Sequence, residues 1–204
     1  MNDRPVPSPL PRSFYEPSAD GVAPALLGHL LLRQTPDGPT GGVIVETEAY
    51  LADDPACHAY KGETPRNRSM FGPSGHAYVY LIYGMHHCVN AVCQQRGVGE
   101  AVLIRALEPT IGIGLMNARR PVARPRDLTN GPAKLCAALG IDRALDGVNL
   151  CKAGSELLVA TNPAWEETRA RLGPVEISTR IGITKAAHLP LRFCLRGSVF
   201  VSRR

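Results

Sequence analysis

The chain has 204 residues, 44% of them apolar, and a formal net charge of +5. That length supports one domain with a real core, and no apolar run approaches the roughly 20 residues a membrane helix needs. Prolines stand near the N-terminus where a secretory signal carries an apolar block, so a cytoplasmic protein with no membrane association is expected.

Six cysteines (Cys57, Cys88, Cys93, Cys136, Cys151, Cys194) are scattered without a CxxC pair or a matching histidine spacing. Free thiols, buried or half-buried, are expected, with no disulfide framework and no metal site. Between Tyr60 and Cys136 ten Lys or Arg face four acids, so the positive charge is concentrated in the middle of the chain. Contact with a phosphate backbone and an ordinary basic surface both fit that distribution.

Pro5, Pro7, Pro9 and Pro11 block helix and sheet pairing, so residues 1–12 are expected to form a disordered tail ahead of one domain over 13–204. Residues 14–27 are expected to be helical and 29–33 a strand closed by the turn-rich 35–39. Residues 42–48 alternate as a strand, with Ile44, Glu46 and Glu48 on one face and Val43, Val45 and Thr47 on the other. On their own, these residues fit a half-exposed strand with solvated carboxylates. A hairpin, however, puts Glu48 where a loop begins.

That loop, residues 51–70, is polar and long, and connectors of about 15 residues or more are usually functional or disordered. It holds His58 and ends in the basic run Thr64-Pro65-Arg66-Asn67-Arg68. Residues 77–92 are rich in aromatic and β-branched side chains about Gly84, the pattern of a hairpin with Tyr83-Gly84-Met85 at its tip. The tip either folds back onto the core or serves as an apolar wedge of the kind that enters a base step.

Residues 101–107 form a strand with one internal charge, Arg105, which needs a carboxylate, a cavity or an anion. A helix is expected over 109–120, then a basic proline-broken loop. Asn130-Gly131-Pro132-Ala133-Lys134 starts another helix, whose N-terminus suits a phosphate and which Gly140 ends. Further strands are expected over 156–160, 175–183 and 191–195.

Several motifs together resemble the alkyladenine (3-methylpurine) DNA glycosylase family, in its bacterial type. They are Glu46-Thr47-Glu48-Ala49-Tyr50, Thr64-Pro65-Arg66-Asn67-Arg68, Tyr78-Val79-Tyr80 with Ile82-Tyr83-Gly84-Met85, Arg105-Ala106-Leu107-Glu108-Pro109, Gly131-Pro132-Ala133-Lys134-Leu135 and Arg180-Ile181-Gly182-Ile183. Their order covers the chain from about Phe14 to Ser202. Two departures stand out. The stretch from Tyr50 to His58 is about one residue shorter than in some relatives, and His86 and His87 replace aromatics common after the turn.

The resemblance implies an α+β fold: a single compact domain with a curved, mainly antiparallel sheet, flanking helices and a protruding β-hairpin. It implies a monofunctional, monomeric enzyme without metal or cofactor that acts on double-stranded DNA containing damaged purines, in the cytoplasm and at the nucleoid. The enzyme would flip out alkylated or deaminated purines and hydrolyse the N-glycosidic bond, leaving an abasic site. By motif position, Glu48 activates the water, with Arg105 and the Ile181 carbonyl holding it. Tyr50, His58, Tyr80 and Asn90 form the base pocket, Tyr83 and Met85 intercalate, and Thr64, Arg66 and Lys134 meet the DNA backbone. The alternative is a damaged-DNA-binding module without catalysis, which Glu48→Gln discriminates.

Overall fold

The computed structural model describes residues 7–202. Its strands in chain order are β1 (Leu30–Thr35), β2 (Gly38–Tyr50), β3 (Ala77–Ile82), β4 (His86–Cys93), β5 (Glu100–Ile111), β6 (Leu157–Ala160), β7 (Val175–Ser178) and β8 (Arg192–Leu195). The α-helices are α1 (Ala19–Leu26), α2 (Ile113–Arg119), α3 (Pro132–Leu139) and α4 (Trp165–Leu172). The strands pair antiparallel in the order β3-β4-β5-β2-β1-β6, and β8 joins β2 to β7. The result is the α+β architecture with a curled antiparallel sheet that the resemblance implies.

The sheet forks along β2. One edge pairs with β5 from Gly41 to Tyr50, while the other pairs first with β1, up to Val43, and then with β8 from Glu46 to Glu48. Against β5, Ile44 faces Leu107 and Glu46 faces Ala106, which leaves Val45 as an extra residue on β2. Thr47 then faces Ile104, which leaves Arg105 as the extra residue on β5. Two compensating bulges therefore sit side by side, and bulges re-aim side chains. Here the residues they re-aim flank the two carboxylates. Gly42 permits the same crowding: a Cβ there would lie 2.2 Å from the Glu108 carbonyl oxygen.

The main apolar core joins the sheet to α1 and α3 through Leu26, Ile44, Ile104, Leu107, Leu135 and Leu139, all fully buried. Thr47 turns toward α1 and donates its hydroxyl to the Ala23 carbonyl at 2.8 Å. Its neighbours Glu46 and Glu48 consequently point to the opposite face. A smaller cluster of Cys57, Ala59, Met70, Tyr78, Val92 and Ala101 pins the long connection after β2 against the sheet and so fixes the segment that carries His58. Cys151 is half-buried, the other cysteines are buried, and all six are free. Among the described residues, no helix is long and apolar enough to cross a membrane.

Several expectations are corrected. Of the tail expected over 1–12, residues 1–6 lie outside the described residues, but residues 8–10 line the outer edge of β6. Leu10 N–H donates to the Val159 carbonyl at 2.9 Å, and Thr161 N–H to the Ser8 carbonyl at 2.8 Å. Proline at every second position removes only the N–H groups on the side away from β6, which an edge strand tolerates. The helix expected over 14–27 is a short 3-10 turn, Arg12–Tyr15, followed by α1. The helix expected over 109–120 is shorter, because β5 continues through Pro109 to Ile111. The strand expected over 175–183 ends at Ser178, and 179–183 is irregular. Helix α4 was not among the expected elements. Finally, Glu46 and Glu48 are not solvated: both are 0% exposed.

Candidate active site

The two carboxylates on β2 share one guanidinium. Arg105, aimed by its bulge, places Nε 3.0 Å from Glu46 Oε1 and Nη1 3.1 Å from Glu48 Oε2. Arg192 from β8 adds a second cation, with Nε 2.7 Å from Glu46 Oε1. Two buried negative charges thus meet two buried positive ones, which is what the low-dielectric interior demands. Burial opposes the charge on Glu46, but Arg105, Arg192 and the Ser202 N–H outweigh it and hold its carboxyl below the usual range. Burial likewise opposes the charge on Arg105, and Glu48 and Glu46 more than restore it.

The carboxylates differ in how fully they are occupied. Glu46 accepts from Arg105, Arg192, the Ser202 hydroxyl at 2.8 Å and the Ser202 N–H at 2.6 Å. Three of these four donors crowd Oε1, and Oε2 takes the Ser202 N–H. Glu48 accepts three donors: the Tyr50 hydroxyl at 2.9 Å, Arg105, and the Ile181 N–H at 2.8 Å on Oε1. Tyr50 and Arg105 bond Oε2, and among the described residues Oε1 takes the Ile181 N–H alone. The contact between Ile181 and Glu48 runs through the Ile181 N–H.

In front of Glu48 lies a cavity of about 630 Å³. Tyr50, Arg105 and Ile181, the three residues that bond Glu48, all line it, so the carboxylate stands one side chain behind its wall. The hairpin of β3 and β4 supplies the facing wall through three cross-strand pairs: Tyr78 with Asn90, Tyr80 with Cys88, and Ile82 with His86. All six point inward because side chains two apart share a face. The N-terminal turn of α3, Gly131 to Lys134, closes another side.

The wall is aromatic and rigid. Tyr78 and Tyr80 stack at 5.4 Å between centroids, and His58 meets the Tyr80 ring edge-on at 4.6 Å. His58 Nδ1 lies 2.9 Å from the Tyr78 hydroxyl, and the Asn90 amide donates to the Tyr78 carbonyl at 2.9 Å. Burial lowers the pKa of His58, with Arg66 adding to the effect, so its imidazole is neutral at pH 7. Burial pushes Tyr78 up to about 12. It also raises Tyr50 and Tyr80, Tyr50 further through Glu48, so all three phenols keep their protons.

The hairpin tip does not fold back. Tyr83 is 82% exposed and Met85 71%, and Tyr83 reaches the cavity rim. Tyr83 and Gly84 both have positive φ, 52° and 71°, and the Met85 N–H closes the turn on the Ile82 carbonyl at 3.3 Å. A tight hairpin wants that geometry, but a bulky residue at the first position holds it under strain, which is a mark of functional sites.

Of the remaining candidates, Lys134 lines the main cavity and donates Nζ to Asn130 Oδ1 at 2.7 Å. Thr64 and Arg66 instead line a smaller neighbouring cavity of about 300 Å³ that shares His58 and Tyr78 with the first. Sequence reasoning gave no role to Tyr78, Cys88, Arg180, Arg192 or Ser202. Strand alternation from Tyr80 and Asn90 points to Tyr78 and Cys88. Nothing local points to Arg192 or Ser202, which reach Glu46 from 146 and 156 residues away.

A family model described as "Methylpurine-DNA glycosylase (MPG)" matches residues 13–199. The curated relatives of this chain include proteins named "Putative 3-methyladenine DNA glycosylase". That of Methanoculleus marisnigri is 53% identical over 96% of this chain and 99% of its own. That of Mesorhizobium japonicum is 48% identical over 95% and 90%, and that of Carboxydothermus hydrogenoformans 47% identical over 96% and 99%. Since the match takes in β2, the hairpin, α3 and the loop that caps Glu48, this chain belongs to the methylpurine-DNA glycosylase family.

Proposed function

We propose that this DNA-repair glycosylase extrudes alkylated or deaminated purines from duplex DNA and hydrolyses the N-glycosidic bond with a water activated by Glu48, leaving an abasic site. The substrates are 3-methyladenine and 7-methylguanine, with hypoxanthine and ethenoadenine as neutral members. The observation that carries this reading is the difference between the two carboxylates: Glu46 takes four donors, one of them from Arg192, which does not line the cavity, whereas all three donors of Glu48 belong to residues that line the aromatic pocket, and its Oε1 takes only the Ile181 N–H.

Tyr83 fills the gap that the extruded nucleotide leaves in the stack and offsets an unstacking cost of a few kcal/mol, with Met85 beside it. Tyr50, His58, Tyr80 and Asn90 receive the base, and a cationic purine gains about 0.5–2 kcal/mol against each well-placed ring face. Water reaches Oε1 of Glu48 when the Ile181 N–H yields. That donor is the readiest of the three to move, because it sits in an irregular loop beside the exposed Gly182, whereas Tyr50 and Arg105 belong to strands. The C1′–N bond then breaks with its electron pair leaving on the base. The water oxygen bonds C1′, its proton passes to Glu48, and the carboxylate stabilises the oxocarbenium character at the sugar.

Arg66 and Lys134, with Thr64, hold the phosphates on either side of the cavity mouth. The residues lining the cavity run from Tyr50 to Ser202, in keeping with a single glycosylase domain over 13–204, which we read as a monomer acting where the cell keeps its DNA. Base release from oligonucleotides that each carry one defined lesion, by the wild type and by Glu48→Gln, tests the reading. Release by the wild type alone is expected, and equal release by both would refute the role of Glu48.

A further inference from the structure

Behind Tyr50 lies a second buried ion pair that the mechanism does not use. The Arg180 guanidinium carbon sits 4.7 Å from the Tyr50 ring centroid, and the residue is only 5% exposed. Its Nη1 donates to the Ala49 carbonyl at 3.0 Å and pairs with the Asp54 carboxylate, which also accepts the Ala56 N–H at 2.9 Å. Its Nε is buried without a partner among the described residues. An apolar side chain would pack behind a tyrosine ring without desolvating two charges, and replacing a buried ion pair in that way is often neutral or stabilising. The pair therefore calls for a reason other than packing.

The reason lies at the ring. Arg180 covers one side of Tyr50, and the cavity, which Arg180 does not line, meets the ring elsewhere. A cationic base stacked on the free side would lie roughly 8–10 Å from the guanidinium, close enough to be repelled through a low-dielectric wall, while Asp54 cancels part of that field from farther back. The phenol's bond to Glu48 acts in the opposite sense by enriching the ring.

We propose that Arg180, balanced by Asp54, is a positioning and specificity-determining residue that acts through Tyr50. It fixes the ring from behind and tempers its attraction for cationic bases, so that neutral damaged purines compete for the same pocket. This rests on the reading of Tyr50 as a base-contacting residue.

The test compares single-turnover kcat/KM on duplexes carrying 7-methylguanine, which is cationic, with that on duplexes carrying hypoxanthine, which is neutral. Asp54→Asn leaves the guanidinium unbalanced and lowers the cationic-to-neutral ratio roughly three- to tenfold. Asp54→Asn combined with Arg180→Gln removes both charges and raises the ratio by a similar factor. Arg180→Lys, which keeps the charge, leaves it within about twofold. A purely structural role predicts equal losses on both lesions, and a ratio unchanged in the two neutralising variants overturns the proposal. Should the double variant fail to fold, the isosteric Asp54→Asn decides alone. A wild type that releases 7-methylguanine but no hypoxanthine also overturns it, whereas one that releases neither removes the reading of the pocket itself.

Discussion

Arg105 bonds Glu46 through Nε and Glu48 through Nη1, so one rigid guanidinium sets the separation of the two buried carboxylates. Its planar fork makes this possible, and a lysine ammonium, being a point charge, has no equivalent geometry. Because Glu46 is also held by Ser202 and Arg192, the fork is anchored on one side and presents the other to Glu48.

Glu48→Gln keeps the shape of the side chain and removes the proposed base. Release of 7-methylguanine in single-turnover assays is expected to fall by about 10²- to 10⁴-fold. Affinity for the lesion-bearing duplex, read by fluorescence anisotropy, is expected to change less than about threefold, because Glu48 lies behind the wall that the DNA would touch.

Glu46→Gln leaves Arg105 and Arg192 with one carboxylate between them. Breaking a buried pair in this way costs about 3–5 kcal/mol, or a drop in Tm of roughly 6–20 °C for a domain of this size. Differential scanning calorimetry measures it. A drop below about 2 °C would mean that the quartet is not a structural anchor.

The same groups set the response to acid. The Glu46 carboxyl is held below its ordinary value of 4.5, so the stability it contributes is complete above pH 4.5 and is lost as pH falls through the lower folded-state value. His29 and His58 are both lowered from 6.5, chiefly by burial, so protonation favours the unfolded chain and stability begins to decline as pH falls below 6.5. Urea denaturation is expected to show a plateau above pH 7, a first decline below pH 6.5 and a steeper one below 4.5. His58→Gln should flatten the first.

Tyr83→Gly separates strain from function. Glycine relieves the positive φ of 52°, so Tm is expected to stay level or rise slightly. Loss of the wedge should nevertheless lower release from stably paired lesions about tenfold more than from lesions in a bulge or mismatch. Equal losses on both would exclude a plug.

Binding to duplex DNA is expected to weaken steeply between 50 and 200 mM salt through counterion release. Arg66→Ala and Lys134→Ala should each reduce the slope of log K against log salt by about one. A flat salt response would place the DNA on another face of the molecule.

The residues alone make part of this molecule legible. The hairpin tip follows from a glycine set between aromatic strands, the end of α3 from Gly140 at φ 69°, and the need of Arg105 for a partner from the cost of an unpaired charge in an apolar strand. Each of these is settled by chemistry within a few neighbouring positions. The burial of Glu46 and Glu48 is not, since alternation along β2 fits a wet face equally well. What decides it is the convergence of β5, β8 and the distant residue Ser202 on that face, together with paired bulges visible only in the register between strands. Likewise the irregular loop after β7 reads locally as more strand, and only its contact with Glu48, 133 residues away, gives it a place in the site. Periodicity and turn chemistry are written in adjacent residues, whereas the field around a buried carboxylate is summed over side chains from the whole chain.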